Sequence, residues 1–103
     1  MNSPNCCLTL IVPTALEEDM VDLLLEHEAL TRGFITSEVE GHGRNVTYQS
    51  SAEKVRGRTR QAEMKIIMYH ADAQTLLRDI KQVLPRANIV YYMTPVTEFG
   101  SFL

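Results

Sequence analysis

Two stretches of this chain carry an apolar stripe at helical spacing, and each is bracketed by short β-rich runs. Leu16, Met20, Leu23, Leu24 and His27 fall at i, i+4, i+7, i+8 and i+11, which lines one face of a helix. Ala73, Leu76, Leu77, Ile80, Val83 and Leu84 form the second stripe, stopped by Pro85. The runs around them are "CCLTLIV" (6–12), "FITSEVE" (34–40), "EMKIIMY" (63–69) and "NIVYYM" (88–93). The first reads as a strand buried on both faces and closed by Pro13. The second alternates Ile35 and Val39 with Thr36, Glu38 and Glu40, and the third puts Met64, Ile66 and Met68 opposite Lys65, Ile67 and Tyr69. Pro95 ends the fourth.

The order β-α-β-β-α-β predicts an α+β, ferredoxin-like sandwich, a four-stranded antiparallel sheet with both helices on one face. Strands one and four offer apolar side chains in both directions, so the second face needs a cover, and a second copy of the chain is the simplest. At the helix starts, Thr14 and Glu17 have the spacing of a capping box, in which each side chain satisfies an unpaired amide. Glu17, Glu18 and Asp19 sit where the helix dipole favours negative charge, and Asp72 is placed to cap the second helix.

A chain of 103 residues, 45% hydrophobic and 22% charged, has room for a single globular domain spanning 1–103. A domain of this size buries only about two thirds of its unfolded surface, so self-association helps it. A net charge of −3 argues against a nucleic-acid binder. The charge is unevenly spread. Residues 14–28 carry six acids and no Lys or Arg, whereas five of the ten basic residues (Arg44, Lys54, Arg56, Arg58, Arg60) lie within 41–62. The early apolar run has no basic residue before it, unlike a signal peptide, and no segment has the roughly 18 to 20 apolar residues that span a bilayer. The expectation is a cytoplasmic protein with no membrane insertion.

The segment 41–62 reads as a loop of 22 residues, longer than the roughly 12 to 15 that compact domains leave unstructured without a use for them. Arg56, Arg58 and Arg60 alternate, so an extended backbone projects three guanidinium forks to one side, a pattern suited to phosphates or carboxylates. Salt bridges to the acidic helix of a neighbouring subunit use the same charges, and a solvated loop uses none. "GHGR" sets His42 between Gly41 and Gly43 with Arg44 next, allowing close backbone approach to an anion or a metal ion. A plain turn with an exposed histidine has the same residues.

Cys6 and Cys7 are adjacent, so on a strand they point to opposite faces and neither pair in a disulfide nor chelate one ion together. Buried thiols serve as small core residues. The alternative is a soft-metal site in which one of them joins Met64, Met68 or Met93 and a histidine such as His42, a donor set that selects Cu(I). His27 reads as a helix-end or satisfied core histidine and His70 as structural, while Tyr91 and Tyr92 point to opposite faces of the last strand. The chain has no nucleophile elbow, no Walker lysine loop and no carboxylate pairing, so a non-enzyme is expected.

The strand "ITSEVEGHGR" (35–44) running into a long loop and a return strand resembles the PII signalling proteins, whose second strand opens the T-loop with a similar Glu-Val-x-Gly-x-Gly-Arg stretch. The resemblance spans nearly the whole chain, and the sheet also looks like that of the metal-tolerance family CutA. It is nearest to a small PII-like family of unassigned function, which carries a "VRGRTRQ"-like stretch (55–61) and is encoded beside heavy-metal efflux pumps. The resemblance implies a homotrimer with clefts between subunits that take a small ligand, a nucleotide or a copper or zinc ion. It places Gly41, His42, Gly43, Arg44, Arg56, Arg58 and Arg60 at the ligand, and makes 41–62 a T-loop that reaches a membrane efflux pump or another protein. CutA-like copper binding by Cys6, Cys7 and His42 is the alternative. The chain departs from true PII proteins at "LPRAN" (84–88), which has neither glycine nor lysine where they carry a phosphate loop. It also has Asn45 and Val46 where a glutamine serves 2-oxoglutarate binding.

Overall fold

The structure is a computed structural model that describes residues 3–42 and 58–103. Strand β1 (Cys6–Pro13) leads through a 3-10 turn (Thr14–Leu16) into helix α1 (Glu17–Glu26), and a short helix α2 (Glu28–Thr31) follows. Strands β2 (Ile35–His42) and β3 (Arg58–Met68), helix α3 (His70–Val83) and strand β4 (Val90–Pro95) complete the order. The four strands form one antiparallel sheet in the order β2-β3-β1-β4. This is the ferredoxin-like α+β arrangement expected from the pattern.

The core lies between the sheet and the helices. Leu8, Leu10 and Val12 of β1 stand opposite Ile66, Met64 and Ala62 of β3 in register, and all are sealed from solvent. Met20, Leu23 and Leu24 of α1 and Ala73, Leu76 and Ile80 of α3 cover them. Both helical stripes therefore face the sheet, except that Val83, counted in the second, is 59% exposed at the end of α3. The intervening residues of the strands, Cys7, Thr9 and Ile11 of β1 and Val90, Tyr92 and Thr94 of β4, belong to the opposite face, as the period of two demands. Tyr91 pairs with Leu10 on the helix side and Tyr92 with Thr9 on the other, so the tyrosines do diverge.

Strand β2 adds an unexpected element. Ile35 pairs with Lys65 and Val39 with Gln61, so its apolar residues lie on the face away from the helices, where Ile35 remains 69% exposed. The helices leave that face open, although Thr9, Thr59 and Gln61 on it are buried and Phe99 of the C-terminal segment lies beside Cys7, Ile35 and Ile67.

A side-chain hydrogen bond also links the two long helices. His27 ends α1, with Nδ1 2.9 Å from the carbonyl oxygen of Leu23 and Nε2 3.0 Å from Oδ2 of Asp79 on α3. Each ring nitrogen faces an acceptor, so both protons of an imidazolium find a partner. The Leu23 carbonyl raises its pKa most; Asp79 adds to this, while burial opposes it. The chain then turns into β2 through Arg32 and Gly33, at φ 54° and 117°. The second of these values favours glycine. The Arg32 guanidinium sits 5.7 Å from the centre of the Tyr69 ring, a cation–π contact that ties the turn to the end of β3.

Four local expectations are corrected. Thr14 makes no capping box: its hydroxyl donates instead to the carbonyl of Arg60 at 2.7 Å, and the first turn is 3-10 with no side-chain cap. Asp72 lies inside the first turn of α3, which begins at His70 and has no side-chain cap. The last strand is Val90–Pro95, because the Ala87 amide bonds to Leu84 and the Ile89 amide to Ala87, keeping 87–89 in the turn. The loop predicted over 41–62 is shorter, since Gly41 and His42 belong to β2 and residues 58–62 to β3. Pairing of polar residues extends the ladder where no apolar pattern announces it.

Candidate functional site

The far ends of β2 and β3 bring the expected ligand-binding residues together where the structure describes them. In register, Glu40 faces Arg60, Gly41 faces Thr59 and His42 faces Arg58. Glu40 and Arg60 are thus an opposite-charge pair across the ladder, an arrangement that supports pairing. Gly43, Arg44 and Arg56 lie outside the described residues. So do residues 43–57 in general, including most of the predicted T-loop.

On the open face beside this end lies a hollow of about 330 Å³, lined by Ile11, Val39, Glu40, Gly41, His42, Gln61, Glu63 and Val90. Its wall is mixed. Ile11, Val39 and Val90 are apolar, while Gln61 offers an amide and His42 an imidazole. Gln61 is 8% exposed and its neighbour Thr59 2%, so polar groups sit unusually deep on a face that the helices leave open. Among the described residues no buried side-chain polar atom lacks a partner. The arrangement provides hydrogen-bond donors and acceptors next to an apolar strip, the chemistry of a small-ligand cleft.

The Thr14 hydroxyl bonded to the Arg60 carbonyl fastens the start of the helical segment to the base of this site. Glu17, Glu18 and Asp19 follow at once in the first turn of α1. The acidic first turn of α1 thus starts three residues after a hydrogen bond to the backbone of Arg60 in the same protomer.

The residues proposed to hold a metal are not brought together. Cys6 pairs with Met68 at one end of β3 and His42 with Arg58 at the other, about 33 Å apart at the rise of a strand. Cys6 is buried under the helices, and burial raises its thiol pKa, with Cys7 adding to the effect. That disfavours the thiolate a metal needs. Cys7 is half-buried on the open face, its sulfur 4.0 Å from the Thr9 hydroxyl. Among the described residues no three His, Cys, Asp or Glu side chains are grouped to hold an ion. His27 matches its expected role, satisfied on both nitrogens; His70 is exposed, and its backbone amide donates to Oδ1 of Asn5 at 2.9 Å. No helix among the described residues is long and apolar enough to cross a membrane.

Thr59, Gln61, Glu63, Ile11, Val39 and Val90 were not singled out in the sequence. Half of them lie in "TRQAE" (59–63), where no apolar alternation marks a strand and the pairing with β2 carries β3 into the presumed loop.

Comparison with solved structures supports the same fold. A DUF3240 family protein from Shewanella baltica OS155 is 24% identical, with a TM-score of 0.77 over 99% of this chain and all of that one. CPII, a nitrogen regulatory PII-like protein from Thiomonas intermedia K12 seen with ADP, AMP and bicarbonate, is 17% identical with a TM-score of 0.66 over 91% of each chain. A putative PII-like signalling protein from Thermus thermophilus is 16% identical with a TM-score of 0.63, covering 89% of this chain and 86% of that one. A search of curated proteins found no match. The fold is thus PII-like, and the model of DUF3240, a protein family of unknown function, matches residues 2–103: the chain belongs to the DUF3240 family.

Proposed function

We propose that this chain is a PII-like regulatory protein, not an enzyme, that assembles as a homotrimer through the open face of its sheet and binds a nucleotide in the clefts so formed. One observation carries the reading. The open face holds Ile35, Val90 and Tyr92 at 69%, 41% and 45% exposure, and the hollow at Gly41 and His42 opens on that same face. Joining copies there buries the apolar strip and places the hollow at a subunit boundary. CPII binds ADP and AMP on a similar fold, which makes adenine nucleotides the first candidates. His42 and Gln61 would meet polar groups of the ligand, and Arg58 and Arg60, with Arg44 and Arg56, would supply charge for phosphate.

Regulation follows if the ligand prefers one arrangement of the residues it touches, since a ligand shifts an equilibrium only by its differential affinity for the two states. The partner in this reading is a protein reached through 41–62, with a heavy-metal efflux pump as the instance that the family resemblance supplies and a cytoplasmic location implied. Copper or zinc binding as in CutA has no donor group among the described residues to support it.

Native mass spectrometry of the protein alone and with ATP, ADP, AMP, cyclic nucleotides, Cu(I) and Zn(II) tests the reading. A trimer that gains up to three nucleotide masses is expected. A trimer that takes up metal and no nucleotide transfers the reading to metal binding, and a stable monomer removes the intersubunit site.

A further inference from the structure

On the helix side of the sheet, between α3, the connection 84–89 and β4, a groove of about 430 Å³ remains after the core is packed. Leu77, Leu84 and Ile89, half-buried and packed against a core that includes Leu10 and Ile80, give it an apolar floor. Arg78 and Lys81, three residues apart on α3 and so on one helical face, stand at its rim with Tyr91 opposite. They are the only charged residues among those that line it.

Neither cation is neutralised locally. Asp79, the acid between them in sequence, is turned to His27. Among the described residues Arg78 and Lys81 have no ion pair or hydrogen bond, and the Tyr91 hydroxyl has no partner. Two such cations over an apolar floor are a local exception on a chain of net charge −3. Lys81 belongs to the last turn of α3, where it offsets the negative end of the helix dipole. Arg78 lies further from that end and presents a planar fork matched to carboxylate or phosphate. The volume falls in the range of small-ligand sites, which combine apolar walls with a few fixing polar groups.

We propose that this groove is a second binding site, for a small amphipathic anion: one carboxylate or phosphate monoester on an aromatic or acyl body. The anionic end lies at Arg78, assisted by Lys81 and the Tyr91 hydroxyl, and the body lies on the half-buried Leu77, Leu84 and Ile89. The groove is on the opposite side of the sheet from the hollow at Gly41 and His42, so it stands whether or not the trimer reading holds.

The test is titration of the ¹⁵N-labelled full chain, followed by amide shifts, with naphthalene-2-carboxylate, octanoate and phenyl phosphate. The neutral 2-naphthamide and acetate, an anion without a body, serve as comparisons. Saturable shifts centred on residues 74–91 are expected with at least one of the three anions, and the relative affinities of carboxylates and phosphate identify the head group. The amide and acetate should bind about tenfold more weakly or worse, and Arg78→Gln should cost about tenfold, more than Lys81→Gln. Both side chains are exposed, so neither change threatens folding. Equal affinity for naphthalene-2-carboxylate and 2-naphthamide overturns the proposal. So does the absence of saturable shifts with all three anions, or saturation near Gly41 and His42 with the groove unmoved.

Discussion

The two faces of the sheet are made from the same strands and differ in completeness. Toward the helices, Leu8, Leu10, Met64 and Ile66 are wholly sealed. On the other face, one residue away along each strand, Ile11 and Ile67 are half-buried and Ile35, Val90 and Tyr92 are exposed. One face holds the protomer together, while the other offers apolar surface that the protomer does not use. A period of two in the sequence thus separates the residues that stabilise the fold from those available for assembly.

The largest effect should come from breaking the finished face. Leu10→Ala leaves a cavity at a fully buried site and should destabilise the protein by about 2–5 kcal/mol, measured as a lower urea midpoint with unchanged slope. An effect below about 1 kcal/mol would mean that the helix side is not the dominant core. Next, Ile35→Glu places a charge on the open face, at a position the isolated protomer leaves in water. The expected result is a monomer in sedimentation velocity with native circular dichroism, the assembly weakened by about 2 kcal/mol or more per interface. If the protein proves to be a trimer and the variant stays one, this face is removed from the contact.

A smaller effect belongs to the link between α1 and α3. The folded pKa of His27 is raised above its ordinary value of 6.5, so its contribution is complete below about pH 6.5 and is lost as pH rises through the folded pKa. Asp79→Asn should lower stability by about 1 kcal/mol at pH 6 and by less at pH 8.5, checked by urea melts at both. Equal losses at the two pH values would make the contact a neutral hydrogen bond. The smallest effect expected is that of Thr14→Val, about 0.5 kcal/mol for one exposed hydrogen bond to the Arg60 carbonyl, with local amide exchange faster at Arg60 than at Met64.

The core was legible because it rests on periodicity. Met20, Leu23 and Leu24, or Met64, Ile66 and Met68, announce a face by spacing alone, and the sheet order followed from the order of the elements. The partners of Thr14 and His27 were not legible, since Arg60 and Asp79 lie 46 and 52 residues away and nothing local selects them. The start of β3 was hidden because "RTRQ" (58–61) has no apolar residue to mark a strand; its pairing with β2 decides the matter. At the candidate site, Gly41 and His42 were singled out through family resemblance, but they close β2 rather than form a turn, and the walls supplied by Gln61, Ile11 and Val90 come from three strands that only the fold aligns. The groove at Arg78 needed the same alignment: helix spacing puts Arg78 and Lys81 together, and only the sheet puts Tyr91 across from them.

The adjacent cysteines carry a practical consequence. Cys6 is sealed beneath the helices and Cys7 borders the open face, so neighbouring thiols monitor two different events. An alkylating reagent reaches Cys7 whenever the open face is bare, and Cys6 only when the helices lift away. In the proposed trimer the ratio of the two modification rates would therefore measure, in one sample, how often subunits part relative to how often the chain unfolds.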